Sequence, residues 1–136
     1  MSRLIGLNRE FYDHMGWSYP DSVECMGTVR RAELMAYIIS EVLEFGNSST
    51  TLDQMDSLAD AMYFIVDAFL EIGIDPEDVY KIIHRSNMAK KWPTSGARLD
   101  TSVVPPKLIK PPSWVSPKEE LDMYLMDVIN NKVKET

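Results

Sequence analysis

Six acidic residues in the middle of the chain have the types and the spacing that suit metal-dependent chemistry. Glu41 and Glu44 are three residues apart, so on a helix their carboxylates lie side by side on one face. Further along, carboxylates recur at helical offsets and therefore follow one stripe of a second helix. These residues are Asp53, Asp56, Asp60 and Asp67. If the two helices are adjacent, the pair of glutamates faces the row of aspartates.

Crowded carboxylates repel one another unless a cation neutralises them. Oxygen ligands favour Mg²⁺ or Mn²⁺, and with only two histidines and one cysteine in the chain a zinc site is disfavoured. Such a site suits phosphoryl chemistry, in which a metal bridges phosphate oxygens and a carboxylate activates water. Acidic residues at helical spacing more often form only a solvated surface. Glu41, Glu44 and Asp60, however, lie in apolar stretches, where a buried carboxylate requires a partner.

A second candidate site is the segment 84–91, with the sequence HRSNMAKK. On a helix, Asn87, Lys90 and Lys91 lie on one side and offer an amide and two ammonium groups to a polyphosphate. The residues alone favour a simpler interpretation, in which the two lysines only complement the negative end of the helix dipole.

Helical periodicity and capping signals predict an all-α fold, a bundle of four helices followed by a proline-rich arm and a fifth helix. The predicted helices are residues 7–15, 28–45, 51–72, 75–91 and 117–133. Gly46 and Gly73 are expected to end the second and third helices, and Thr51 to cap the third. The third helix is apolar around much of its circumference, so we expect neighbouring helices or an oligomer to bury it.

The arm, residues 92–117, contains six of the eight prolines, which excludes a helix or a central strand there. Trp92 and Trp114 are expected to anchor it. The arm could cover a neighbouring subunit or the active site, but a simple wrap over the protein surface is favoured.

Length and composition predict one globular domain that occupies residues 1–136, with 45% hydrophobic and 26% charged residues. The net charge of −7 disfavours nucleic-acid binding, which requires a basic surface. Cys25 is the single cysteine and cannot form an internal disulfide. The apolar stretches are shorter than the roughly 18 residues of a membrane span, and the N-terminus lacks a signal peptide. We therefore expect a cytoplasmic protein that does not enter membranes.

Taken together, the motifs resemble the all-α nucleotide pyrophosphohydrolases of the MazG-like superfamily, in particular the phosphoribosyl-ATP pyrophosphohydrolase-like branch. Residues 41–44 (EVLE) match the E-x-x-E motif, and residues 56–63 (DSLADAMY) resemble the second acidic motif. Residues 84–90 are similar to the HRSNMSK signature. Residues 8–16 and 107–114 resemble the opening and closing motifs, and all five stretches follow the expected order.

The resemblance implies an enzyme that uses Mg²⁺, or alternatively Mn²⁺, to split a ribo- or deoxynucleoside triphosphate into a monophosphate and pyrophosphate. It also implies a homodimer or homotetramer. The implied metal ligands, which are also the implied catalytic residues, are Glu41, Glu44, Asp56 and Asp60. The implied phosphate contacts are Asn87, Lys90 and, as a weaker candidate, Arg85. The residues suggested for the base and sugar are Phe11, Trp17 and Tyr37.

Two serines depart from the family pattern. Ser40 stands where the wider family often has the first glutamate of E-E-x-x-E, and Ser57 stands where it has the first acid of E-x-x-D. Asp56 or Asp53 would then supply the missing oxygen, and the number of metal ions and the general base are left open. His84 is expected to be a buried structural histidine.

Because lost acids can mean lost chemistry, the alternative function is a non-catalytic helical dimer that binds a nucleotide or a protein. Within the enzymes, a house-cleaning deoxynucleotide hydrolase is favoured over a phosphoribosyl-ATP hydrolase. Members of this branch with a long closing arm tend to be stand-alone proteins. The preferred base and sugar are left open.

Overall fold

The computed structural model describes residues 3–135, with side chains up to residue 131. Its five helices are α1 (Arg3–Met15), α2 (Thr28–Asn47), α3 (Thr51–Ile72), α4 (Pro76–Met88) and α5 (Lys118–Glu135). Two short strands, β1 (Leu99–Asp100) and β2 (Lys107–Leu108), pair antiparallel. The all-α prediction is confirmed. The chain forms two compact units, Met1–Pro76 and Glu77–Thr136. Within the described part of the chain, no helix has the length and hydrophobicity to cross a membrane.

Helix α2 ends at Asn47, two residues beyond the predicted end at residue 45. The reason is that side chains, and not a glycine turn, bond to its last carbonyl groups. The Asn47 side chain donates to the Leu43 carbonyl at 2.9 Å, and the Ser48 hydroxyl donates to the Glu44 carbonyl at 2.6 Å. The helix therefore continues through Gly46, which we had expected to end it.

The caps of α3 explain its position in the chain. Thr50, one residue before the predicted cap, accepts a hydrogen bond from the Asp53 amide at 3.1 Å. At the other end Gly73 adopts the left-handed conformation with φ 77°, as predicted. A side chain at this position would also collide with the backbone, since a Cβ atom would lie 2.6 Å from the Ser22 carbonyl oxygen.

In the first unit, α3 packs against both α1 and α2. Only residues 48–50 connect α2 to α3, so the two helices run antiparallel. The core lies between α1 and the second half of α3, and consists of Ile5, Tyr12, Val66 and Leu70. α1 begins earlier than predicted, at Arg3, because its buried face already starts with Ile5.

Both α2 and α3 keep a row of exposed apolar side chains at heptad-like spacing. The row on α2 consists of Met35, Ile39 and Val42, and the row on α3 consists of Met55, Leu58, Met62 and Ile65. Leu58 is 47% exposed to solvent and Met62 is 51% exposed. The neighbouring helices therefore do not provide the burial that we expected around α3. We call the two rows together the apolar stripe.

In the second unit, the two tryptophans expected to anchor the arm differ, because Trp114 bonds to α4 whereas Trp92 bonds to a residue of the arm itself. The Trp92 indole N–H donates to the Ile109 carbonyl at 2.8 Å, and the Trp114 indole N–H donates to the Ser86 carbonyl at 2.9 Å. The two-residue strands of the arm pair only with each other, which agrees with the exclusion of a helix or a central strand. On α5, the Tyr124 hydroxyl donates to Asp78 of α4 at 2.9 Å.

Candidate active site

The antiparallel pairing of α2 and α3 brings the four predicted carboxylates into one electrostatic cluster. Burial raises the pKa of Glu41, and a hydrogen bond with Glu44 raises it further. The negative charges of Glu44, Asp60 and Asp56 act in the same direction. Each of the three other carboxylates therefore lies close enough to disfavour the charged form of Glu41.

One oxygen of this cluster, Glu41 Oε2, is buried and has no hydrogen-bond partner. A buried carboxylate oxygen is unfavourable unless a donor or a cation satisfies it. The cluster fits Mg²⁺ in donor type and in charge, because all its donors are carboxylate oxygens. Between residues 3 and 131, however, no three His, Cys, Asp or Glu side chains converge as they stand to ligate a single ion.

A cavity of about 550 Å³ opens beside this cluster, between the end of α2 and the start of α3. Its lining is predominantly polar and consists of Ser40, Leu43, Glu44, Asn47, Ser48, Ser49, Asp53, Asp56 and Ser57. Both serines that depart from the family pattern, Ser40 and Ser57, thus line the same cavity as Glu44 and Asp56 of the cluster. Asp53, considered from the sequence as a substitute ligand, lines it too.

The expectation that Asp60 is buried was wrong. Asp60 and Glu44 are exposed, and Glu41 is half-buried. The apolar neighbours of Asp60 in the sequence, Leu58 and Met62, belong to the exposed apolar stripe and so do not bury it.

Asp67 follows the same predicted stripe of aspartates but has a different environment. It is buried, and its Oδ1 atom accepts a hydrogen bond from the Asn8 side chain at 2.8 Å. Asn8 also donates to the Tyr63 carbonyl at 3.0 Å. Burial is the main reason why the pKa of Asp67 is raised, although the hydrogen bond from Asn8 opposes the shift. Asp67 therefore joins α1 to α3.

A second polar contact, which the sequence did not reveal, connects all three helices of the first unit. Arg30 of α2 donates two hydrogen bonds to the Glu71 carboxylate, at 2.8 and 2.9 Å, and the Tyr12 hydroxyl of α1 donates a third at 2.6 Å. Burial opposes the ionisation of Glu71, but the donors outweigh it and lower its pKa. This contact fixes α2 against α3, and with it the two rows of carboxylates.

The predicted phosphate-binding residues lie in the second unit, where each has a defined contact. Lys90 donates to the Asn87 side-chain oxygen at 2.8 Å. Arg85 forms an ion pair with Glu120 of α5. α4 ends at Met88, so Lys90 lies just after the helix and not within it as predicted. His84 is exposed, which contradicts the expected structural role in the core.

The aromatic residues suggested for the base and sugar form two separate contacts in the first unit. Phe11 meets Trp17 edge-to-face at 5.6 Å between ring centroids. Tyr37 stacks on Phe64 at 5.0 Å with an interplanar angle of 15°. Trp17 and Tyr37 are both about half exposed, so each presents an aromatic surface to solvent.

Comparison with known proteins identifies one family. The family profile of phosphoribosyl-ATP pyrophosphohydrolase matches residues 8–87, which is more than half of the chain. The matched region contains the four clustered carboxylates, and it ends at Asn87. No curated protein matches the chain.

Proposed function

Because the chain belongs to the phosphoribosyl-ATP pyrophosphohydrolase family and is thus a nucleotide pyrophosphohydrolase, we propose that it hydrolyses a ribo- or deoxynucleoside triphosphate to a monophosphate and pyrophosphate with the help of Mg²⁺. Mn²⁺ is the expected substitute. The free thiol of Cys25 suits a reducing compartment, and we propose that the enzyme acts in the cytoplasm.

The observation that carries this proposal is the environment of Glu41. Three neighbouring carboxylates disfavour its charge, and one of its oxygens is buried without a partner. A hard divalent cation relieves both conditions at once, because it offsets the repulsion and satisfies the oxygen. We propose that Glu41, Glu44, Asp56 and Asp60 hold this ion.

When bound, the divalent ion supplies positive charge to the phosphate oxygens. Side chains of the protein carry out the other steps of the reaction. A carboxylate of the cluster accepts a proton from the attacking water, whose oxygen forms a bond to the α-phosphorus. The bond from that phosphorus to the β-phosphate oxygen breaks, and pyrophosphate leaves. We propose that Asn87, Lys90 and Arg85 contact the phosphates, with Arg85 exchanging its pairing with Glu120 for the substrate.

The apolar stripe supports a homodimer or homotetramer. Its side chains are exposed on α2 and α3 at the spacing that packs helices against helices. A second copy of the chain would bury these residues. The carboxylates lie on the same two helices, so assembly would also fix the cavity in place.

Two other functions have specific support. Phosphoribosyl-ATP is the substrate that the matched family is named for. A non-catalytic nucleotide-binding module is supported by Ser40 and Ser57, which line the cavity where the family pattern has acids. Both alternatives predict different results from those of the main proposal in one experiment.

That experiment measures pyrophosphate release from the four ribonucleoside triphosphates, the four deoxynucleoside triphosphates and phosphoribosyl-ATP. Each substrate is tested with Mg²⁺, with Mn²⁺ and with EDTA. We expect metal-dependent release from at least one triphosphate, together with the matching monophosphate. Release from phosphoribosyl-ATP alone would establish the second candidate. Binding of a nucleotide and Mg²⁺ by the folded protein, without release from any substrate, would establish the binding module.

A further inference from the structure

The second unit contains a basic segment in an otherwise acidic protein. Residues 85–118 hold seven of the 14 lysines and arginines but only one of the 21 acidic residues. That one acid, Asp100, accepts hydrogen bonds from the amide and the hydroxyl of Ser102, and these lower its pKa. Arg85 is neutralised by Glu120. The five lysines of the segment and Arg98 are therefore the source of its excess positive charge.

Trp114 gathers two of these lysines around one ring. Its indole N–H is held by the Ser86 carbonyl of α4, which fixes the ring beside the last turn of that helix. The Lys110 ammonium lies 4.3 Å from the ring centroid, and the Lys90 ammonium lies 6.0 Å from it. The two charges are thus no farther apart than these two distances together, although the residues are separated by 20 positions in the chain.

These two charges are uncompensated among the described side chains. In the side chains described up to residue 131, neither Lys90 nor Lys110 forms an ion pair. The attraction of an ammonium group to an aromatic face orients it but leaves its charge in place. Two like charges held near one ring repel each other, and an anion that contacts both offsets that repulsion.

Asn87 adds a neutral donor to the pair. Its side-chain oxygen accepts the hydrogen bond from Lys90 at 2.8 Å, which turns its NH₂ group away from that lysine. Asn87 is exposed, so this NH₂ group can be reached by a ligand from solvent. Two ammonium groups and one amide donor are the groups that bind the oxygens of a phosphate.

We propose that Asn87, Lys90 and Lys110 form a binding site for a phosphorylated anion, with Trp114 as the residue that positions both lysines. Lys110 is the new member of the site, because it comes from the arm and not from the helical motif. The ligand class is a polyphosphate, either free or at the end of a nucleotide. Its identity as the polyphosphate of the substrate rests on the proposed function, whereas binding of the anion does not.

The test is isothermal titration of the full chain with inorganic pyrophosphate at low ionic strength, in the presence of EDTA so that no divalent ion takes part. Lys110→Met is compared with Lys107→Met, which removes the same charge from the exposed β2 strand of the same arm. We expect Lys110→Met to weaken binding about tenfold, the loss typical of one charged contact, and Lys107→Met to change it less than twofold. Trp114→Phe should weaken binding as well, because the indole N–H that holds the ring is lost.

Equal losses in Lys110→Met and Lys107→Met would overturn the proposal, because the segment would then act only through its total charge. Absence of pyrophosphate binding by the native protein would also overturn it. ATP in place of pyrophosphate distinguishes a nucleotide ligand from a free polyphosphate. If no nucleotide is hydrolysed but Lys110→Met still loses pyrophosphate binding, the proposed function fails and this site stands. If a nucleotide is hydrolysed but Lys110→Met binds pyrophosphate as the native protein does, the proposed function stands and this site fails.

Discussion

Asn8 and Asp67 form a buried hydrogen bond of 2.8 Å between α1 and α3, on the opposite end of α3 from the carboxylate cluster. The same amide of Asn8 donates to the main chain of Tyr63. By its spacing Asp67 belongs with Asp56 and Asp60, but its hydrogen bond with Asn8 joins α3 to α1. The row of aspartates therefore begins at the candidate site and ends in the core.

Replacement of Asn8 by alanine should destabilise the protein. The buried Asp67 oxygen would lose its donor, and an unsatisfied buried acceptor costs about 1–3 kcal/mol. The free energy of unfolding, measured by urea denaturation, should fall by this amount. Asn130→Ala, at an exposed position of α5, is the control and should change it by less than about 0.5 kcal/mol. An equally small change in both variants would show that the Asn8 contact is unimportant.

Acid should destabilise the native protein through Glu71. Its pKa is lowered in the folded state, so the stability it contributes is present above its unfolded pKa and is lost as the pH falls through the folded value. Glu71→Gln should cost about 1–2 kcal/mol at pH 7, a discounted figure because the Arg30 side chain is 38% exposed. The difference in the free energy of unfolding between the native protein and Glu71→Gln should become smaller at pH values below the usual pKa of a glutamate. A gap that stays constant from neutral to acidic pH would contradict this account, and chemical denaturation at several pH values measures it.

The helix pattern of this fold was readable from the sequence because apolar periodicity and capping signals are local. All five helices were predicted, and Gly73 ends α3 as expected. The errors concern helix ends: α1 begins and α4 ends earlier than predicted, and at the start of α3 and the end of α2 neighbouring residues can each serve as the cap. Thr50 and Thr51 can both cap the start of α3, and Thr50 does so. At the end of α2, the side chains of Asn47 and Ser48 bond to the last carbonyl groups, where we had expected a glycine to end the helix.

The candidate site was only partly readable. The spacing of Glu41 and Glu44 and that of Asp56 and Asp60 was enough to place them in one cluster once α2 and α3 pair. The burial of these carboxylates could not be predicted, because it depends on which apolar helix face another helix covers. The apolar stripe is exposed, and it leaves Asp60 accessible to solvent. Contacts between residues far apart in the chain left no local signal. The approach of Arg30 to Glu71, and that of Lys90 to Trp114, belong to this class.

The apolar stripe yields a prediction about assembly. Leu58→Glu places a charge in the middle of the row on α3, and a charge without a partner is strongly disfavoured in an apolar interface. The molar mass from light scattering should fall from that of an oligomer to that of a monomer of 15.6 kDa. Val104→Glu introduces the same charge at a position in the arm that is 97% exposed, and should leave the mass unchanged. A native protein that is already monomeric would contradict the proposed assembly.

The most direct test of the central claim is pyrophosphate release by Glu44→Gln and Asp60→Asn under saturating Mg²⁺, with the best substrate of the native protein. Each substitution removes one charge from the cluster at nearly constant size. Glu33→Gln removes a charge from an exposed position of α2 outside the cavity and serves as the control. We predict a loss in kcat/KM of at least about 100-fold in both cluster variants, and less than about twofold in the control. Retention of native activity by both cluster variants would contradict the assignment of these carboxylates to catalysis.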